Sequence, residues 1–160
     1  MNRLLVALKI GGTASLGILT GVHLNFSLET LRAITALPSA AQKAFTIALG
    51  LLRSTVRTLE IAATASLATA WLLAPKHGKH PYLWFASVPV VLSVGIERLR
   101  LAGVEYGIMS TPTSTSNEVE VNGEVVRKGV DDWRRWGLIR GGIIGSGFLL
   151  ALVGLYGDFA

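Results

Sequence analysis

The chain reads as an all-α membrane protein built on four transmembrane helices. Half of its residues are apolar (51%) and 16% are charged, where soluble domains carry about 25% charge. A bilayer span needs roughly 20 apolar residues. Runs of that kind fall near 10–28, 53–74, 82–99 and 136–156, with a polar loop over 100–135. The last run, WGLIRGGIIGSGFLLALVGLY, brings Gly137, Gly141 and Gly145 back every fourth residue, along one stripe of a helix. Burying apolar side chains between helices gains little in lipid, so a stripe of small residues lets backbones approach and pack. The pattern returns as Thr13, Gly17 and Gly21 in the first run, and as Ala62, Ser66, Ala70 and Ala74 in the second. With three other spans to pack on, the Gly137 stripe is expected to pair within the chain. A homo-oligomer built on it is the other arrangement.

Composition narrows the function. With no cysteine, disulfides and thiolate metal sites are excluded. The net charge of +5 would suggest nucleic acid in a soluble protein. Here the basic residues flank apolar runs, which fits lipid headgroups and excludes a nucleic-acid partner. The first apolar run is longer than the core of a cleaved signal, about 7–15 residues, so an uncleaved first helix is expected. The Arg- and Ser-rich pattern of a mitochondrial presequence is missing, so a mitochondrial address would be internal.

The first helix leaves the bilayer at His23, Asn25, Glu29 and Arg32. Leu28, Leu31, Ile34 and Leu37 carry the helical spacing on to Pro38, and helices tend to end before a proline. Ser39 is the expected N-cap of the second helix. From Ser39 to Leu73 that helix would measure about 50 Å, against roughly 30 Å of hydrocarbon, so it extends beyond the bilayer. Lys43, Arg53, Arg57 and Glu60 share one side of it. They form either a solvated stripe or the docking face of a helical arm. The segment APKHGKHPY is a tight connection set by Pro75, Gly78 and Pro81, with Tyr82 and Trp84 at the interfacial aromatic belt. His77 and His80 have no carboxylate or cysteine beside them, so no metal site is expected.

The third span carries Pro89, which should loosen it, and closes on Glu97, Arg98 and Arg100. The 100–135 stretch opens with the low-complexity STPTSTSN. Thr111, Thr113, Ser114, Thr115 and Ser116 are generic phosphate acceptors there. EVEV-NG-EVVR then alternates around Asn122-Gly123, which predicts a small β-hairpin with a type I′ turn before the last helix. Such a ribbon is marginal alone and would lean on a membrane surface or a partner. Asp131 to Trp136, DDWRRW, sit at the interface before the fourth span.

Four spans place the termini and the 75–81 connection on one side, with Arg3, Lys9, Lys76 and Lys79. The other eleven basic residues lie in or beside 29–60 and 97–140. The positive-inside rule puts those connections in the cytosol. Laid side by side, the helices bring His23, Asn25, Arg57, Glu60, Glu97, Arg98 and Arg140 to one depth. Ionisable groups at membrane depth are costly unless paired, and mark function by default. Arg57 and Glu60 are one turn apart and suited to pair. The layer is expected to neutralise itself and fix helix register. An ion path or a catalytic pocket is the alternative, and Glu60→Gln would separate them. Trp136-Gly-Leu-Ile139 has the aromatic-x-x-aliphatic form that binds ubiquitin-like partners as an added strand, but it begins a membrane helix. No phosphate-binding glycine loop, paired-carboxylate site or nucleophile arrangement is present, so neither enzyme chemistry nor a cofactor is expected.

His80-Pro81-Tyr82-Leu83, set between two small-residue helices, resembles the fungal autophagy-related protein 33 family. The Gly/Ser/Thr-rich first helix, the polar stretch before the last span and the closing glycine-rich helix fit the same layout. The resemblance implies a multi-pass protein of the mitochondrial outer membrane. It would act in selective autophagy of mitochondria without catalysis, through membrane or cytosolic partner proteins, and no catalytic residue carries over. The Asn122-Gly123 hairpin has no counterpart in the family layout. Two rival readings are a structural subunit of a respiratory or import complex, and a small membrane enzyme or transporter using Arg57, Glu60 and Arg140.

Overall fold

In a computed structural model, residues 3–37, 40–75, 79–111 and 119–159 are described, the backbone alone for 119–122 and 159. Among them the chain forms four long helical rods. Rod α1 is Arg3–Thr35, α2 is Ala41–Leu73, α3 is Tyr82–Ser110 and α4 is Val119–Phe159. They run up and down, with α1 packed along α2 and α4, and α3 packed along α4. Two rods widen locally: Phe26–Thr30 in α1 and Glu97–Leu101 in α3 are single π-helical turns. Ser39, the expected cap of α2, lies outside the described residues.

Pro89 does not kink a helix interior. It sits in the first turn of the segment Val88–Ile96, where its missing N–H is one of the groups that has no helical partner anyway. The break in α3 falls just before it, between Tyr82–Phe85 and Val88.

Along their length the rods divide into two halves. Residues 10–22, 61–75, 80–96 and 141–157 contain no Asp, Glu, Lys or Arg. In a helix these stretches measure about 20–25 Å. Their outer surface is Ile10, Ile18, Ile61, Leu72, Trp84, Val91, Leu149, Val153 and Tyr156 among other apolar groups. Inside this belt the contacts use small residues. Gly12 meets Leu67, Gly17 meets Phe148, and Gly147 meets the Ala86 carbonyl. Ala63, Ala70, Ala86 and Ala151 are fully buried.

The other half, 23–60 with 97–140, carries charge on its outside, including Glu29, Arg32, Lys43, Arg100, Arg127 and Lys128. Its interior is bulky: Phe26, Leu31, Phe45, Leu49, Leu101, Ile108 and Trp133 are buried together. Phe26 and Phe45 meet the Trp133 ring edge-on, at centroid separations of 5.3 and 6.1 Å. This head holds together by burying large apolar side chains, as four-helix bundles do.

Three expectations are corrected. The hairpin at Asn122-Gly123 does not form: α4 runs helically through both residues, and no strand occurs among the described residues. A lone ribbon gains little, whereas the helix buries Val126, Val130 and Trp133, at i, i+4 and i+7 along one face. The 100–135 stretch is accordingly no loop, being helical up to Ser110 and again from Val119, with 112–118 outside the described residues. The 29–60 arm does not project alone either, because Phe45, Leu49, Leu52 and Val56 are buried in the head. As for the spans, Arg3–Thr35, Tyr82–Ser110 and Gly123–Asp158 are long and apolar enough to cross a membrane. Rod α2, interrupted by Arg53, Arg57 and Glu60, falls outside that set of three.

Candidate functional site: a charged layer and an end clasp

The border between belt and head is a charged layer centred on Arg140 of α4. Gly137 and Gly141 flank it one residue and one turn away, and they bring α1 close. A Cβ at Gly137 would collide with Ser27 Oγ, and one at Gly141 would lie 3.0 Å from Leu24. Arg140, 2% exposed, therefore points into the bundle. Its Nε donates to Ser93 Oγ at 2.9 Å and its Nη2 to Glu97 Oε2 at 2.8 Å. The same Nη2 lies 3.5 Å from Glu60 Oε1. One guanidinium thus joins α2, α3 and α4, matching the rule that a buried charge is kept only when paired and hydrogen-bonded.

Next to it, Arg53 donates to Glu105, and its Nε lies 3.9 Å from Glu97 Oε1. The Trp133 indole donates to the other Glu105 oxygen at 3.0 Å. Against these groups sits His23, 1% exposed, with neither ring nitrogen hydrogen-bonded among the described residues. A narrow cleft with room for about one water leads in, lined by His23, Arg53, Arg57, Glu97, Glu105 and Trp133 with Arg140.

Of the residues expected at this depth, the fold brings together His23, Glu60, Glu97 and Arg140, with Arg57 at the rim of the cleft. Asn25 and Arg98 face outward. Glu60 makes its close contact with Arg140, while Arg57, the partner that the one-turn spacing suggested, acts on it from a longer distance. Ser93, Glu105 and Trp133 were not anticipated in the layer, and Arg53 only as part of a stripe. One signal was available: Glu105 is the single charged residue between Arg100 and Glu118. Among the described residues no group of His, Asp and Glu side chains is placed to hold a metal ion.

The small-residue positions divide as well. A Cβ at Gly145 would lie 3.2 Å from Thr20, Ala70 is fully buried, Ala62 and Ser66 are half-buried, and a Cβ at Gly21 would meet nothing within 4 Å. The Gly137, Gly141 and Gly145 stripe lies on α1 of the same chain.

The other border of the belt is a clasp around Asp158. Lys9 Nζ donates to its Oδ2 at 2.6 Å, the Tyr82 hydroxyl donates to the same oxygen, and His80 Nε2 lies 3.2 Å from Oδ1. Both Lys9 and Asp158 are buried, with side chains 3% and 4% exposed. The tetrad at 80–83 thereby has a structural use. His80 and Tyr82 hold the C-terminal rod, the Tyr82 ring packs on Gly154, Pro81 precedes the first turn, and Leu83 is fully buried.

Comparison with known proteins points to one family. A sequence model of the family described as Autophagy-related protein 33 matches residues 1–106, which takes in α1, α2, the tetrad and most of α3. The protein Autophagy-related protein 33 of Gibberella zeae is 32% identical over 180 aligned positions, covering 96% of this chain and 91% of the relative. No solved structure matches the chain. A model spanning more than half of the chain and a relative aligned along nearly all of it lead to one conclusion: the chain belongs to the Autophagy-related protein 33 family.

Proposed function

We propose that this autophagy-related protein is a four-span protein of the mitochondrial outer membrane that promotes selective autophagy of mitochondria without chemistry of its own. The observation that carries the membrane reading is the belt free of Asp, Glu, Lys and Arg, bounded by the Asp158 clasp and the Arg140 layer. All four rods pass through that belt, α2 included, because its 61–75 stretch lies between the same two borders. At about 20–25 Å the belt is shorter than the roughly 30 Å average hydrocarbon core. Local thinning and snorkelling of Arg57, Arg98 and Lys79 absorb such a mismatch.

Eleven basic residues on the head side orient it to the cytosol. The head is then the surface that membrane or cytosolic partner proteins meet, through the outer faces of 29–60 and 100–135. A second reading, a structural subunit of a larger mitochondrial complex, is favoured by Leu51, Leu99 and Tyr106. These head residues are 70%, 84% and 76% exposed, apolar groups that a stable neighbour would cover.

The test combines topology with phenotype. Tags at residue 1 and near Asn117 are probed by protease in isolated mitochondria, and mitophagy and respiration are measured after deletion. Cleavage of the Asn117 tag alone on intact organelles, with mitophagy lost and respiration intact, is the expected result. Loss of respiration, together with stoichiometric co-purification in detergent, favours the subunit reading. A protein stripped from membranes by alkaline carbonate overturns both.

A further inference from the structure

We propose that the outward face of α3 in the head is a docking surface for an acidic amphipathic helix of a partner protein. It rests on the reading that the head meets partner proteins in the cytosol, and adds the face and the partner's chemistry.

Beyond Glu97 the outer side of α3 is an apolar stripe. Leu99, Ala102, Gly103, Tyr106 and Met109 recur at helical spacing and are all exposed, the pattern by which one helix receives another. An added Cβ at Gly103 or Gly107 would meet nothing within 4 Å, so a partner backbone can come close. On the membrane reading, lipid does not reach the outer part of this stripe. At about 1.5 Å of rise per residue, Tyr106 stands roughly 14 Å beyond Glu97, past the arginines at headgroup depth. The adjoining 112–118, PTSTSNE, has no large apolar side chain to cover it.

Charge identifies the occupant. On α2 and α3 of the head the exposed charges are Lys43, Arg57, Arg98 and Arg100, all basic. The acids of these rods, Glu60, Glu97 and Glu105, turn inward to Arg140 and Arg53. Gln42 donates to the Ile108 carbonyl, which brings the neighbouring Lys43 level with the outer end of the stripe. Arg98 and Arg100 flank its membrane end. The outer faces of α1 and α4 instead mix signs, with Glu29, Arg32, Glu124, Arg127 and Lys128. A second copy in the same membrane would set like charges against each other, which costs affinity. An acidic helix with apolar anchors suits both the stripe and its basic flanks.

The experiment uses the full chain in its own mitochondria, with a benzophenone side chain carried at position 106. Adducts formed by light in the presence of cytosol are digested and sequenced by mass spectrometry. The expected adduct joins position 106 to a segment of another protein, with apolar residues at helical spacing and more acids than bases. Gly103→Leu projects into open space, should fold normally, and should cut the yield about tenfold by blocking close approach. Lys43→Glu should cut it several-fold, and the same benzophenone at Val125 on α4 should not give this adduct. The surface is overturned if position 106 joins only lipid or a second copy, if no adduct forms, or if the captured segment is not acidic. It is overturned equally if Gly103→Leu leaves the yield unchanged, or if position 125 gives the same product. Mitophagy after deletion is scored separately. Mitophagy lost with no adduct sinks the docking surface alone, and the expected adduct with mitophagy intact sinks the mitophagy reading alone.

Discussion

The belt and the head are built from the same four rods and share one apolar core. The belt seats its large side chains against glycine and alanine, where the head packs them on one another. In the head the contacts are Phe26, Phe45, Leu49, Ile108 and Trp133, large side chains removed from water. In the belt large side chains such as Leu67 and Phe148 are seated against Gly12 and Gly17, Gly147 meets the Ala86 carbonyl, and alanines are buried among Leu16, Leu19 and Ile144. On the membrane reading proposed above, the difference follows from the solvent that each half would face. Water rewards burial of apolar area at about 25 cal/mol per Å², so the head gains by making its interior bulky. Lipid tails are as apolar as leucine, so the belt gains only from contact density, which small residues maximise. On that reading the packing changes where the chain would pass from one solvent to the other, and Arg140 stands at that border.

Trp133→Ala should produce the largest loss on the head side. It opens a cavity under Phe26 and Phe45 and removes the indole donor from buried Glu105. Large-to-small changes of this kind cost about 3–5 kcal/mol, and the Glu105 oxygen left without a donor beside the Arg53 pair adds to it. Chemical unfolding in detergent, followed by circular dichroism, measures the loss. A change under about 1 kcal/mol would mean that the head is not packed as a water-facing core.

Arg140→Met tests the border itself. The variant fills a similar volume but leaves Glu60, Glu97 and Ser93 without their shared donor. Breaking a buried pair from one side costs about 3–5 kcal/mol. The double change with Glu97→Gln should recover part of it, since fewer unpaired carboxylates then remain buried. Absence of any recovery in the same unfolding assay would argue that Arg140 acts through packing and not through its charge.

How much of this was legible in the sequence depends on whether the signal was local. The belt was legible because absence of charge over four runs needs no knowledge of contacts. The Gly137 stripe was legible because a four-residue recurrence marks one helical face. Gly147 and Gly154 were not: they fall off that recurrence and face α3, which only the assembled bundle reveals. His23, Glu60, Glu97 and Arg140 could be aligned by counting from the ends of their runs. Arg53, Glu105 and Trp133 could not, since their meeting needs α3 and α4 to continue as helices into the stretch read as a loop. The hairpin reading failed for the same reason. Asn-Gly between alternating residues is a strong local signal, but the i, i+4, i+7 spacing of Val126, Val130 and Trp133 serves a tertiary core.

The smallest effects separate the two packing rules most cleanly, because they come from one methyl group on one helix. In α4, a Cβ at Gly147 would lie 2.9 Å from the Ala86 carbonyl oxygen and 3.1 Å from Pro89, while at Gly142 it would meet nothing within 4 Å. A backbone oxygen and a proline ring cannot swing aside as a long side chain can, so α3 and α4 must separate to admit the methyl. Overpacking of this kind costs about 1–3 kcal/mol. Gly142→Ala has no such neighbour and should be neutral or gain up to about 1 kcal/mol from helix propensity. Equal stabilities for the two variants would mean that the glycines tune the helix itself and not its contacts. The belt would then have to be held by its two charged borders alone.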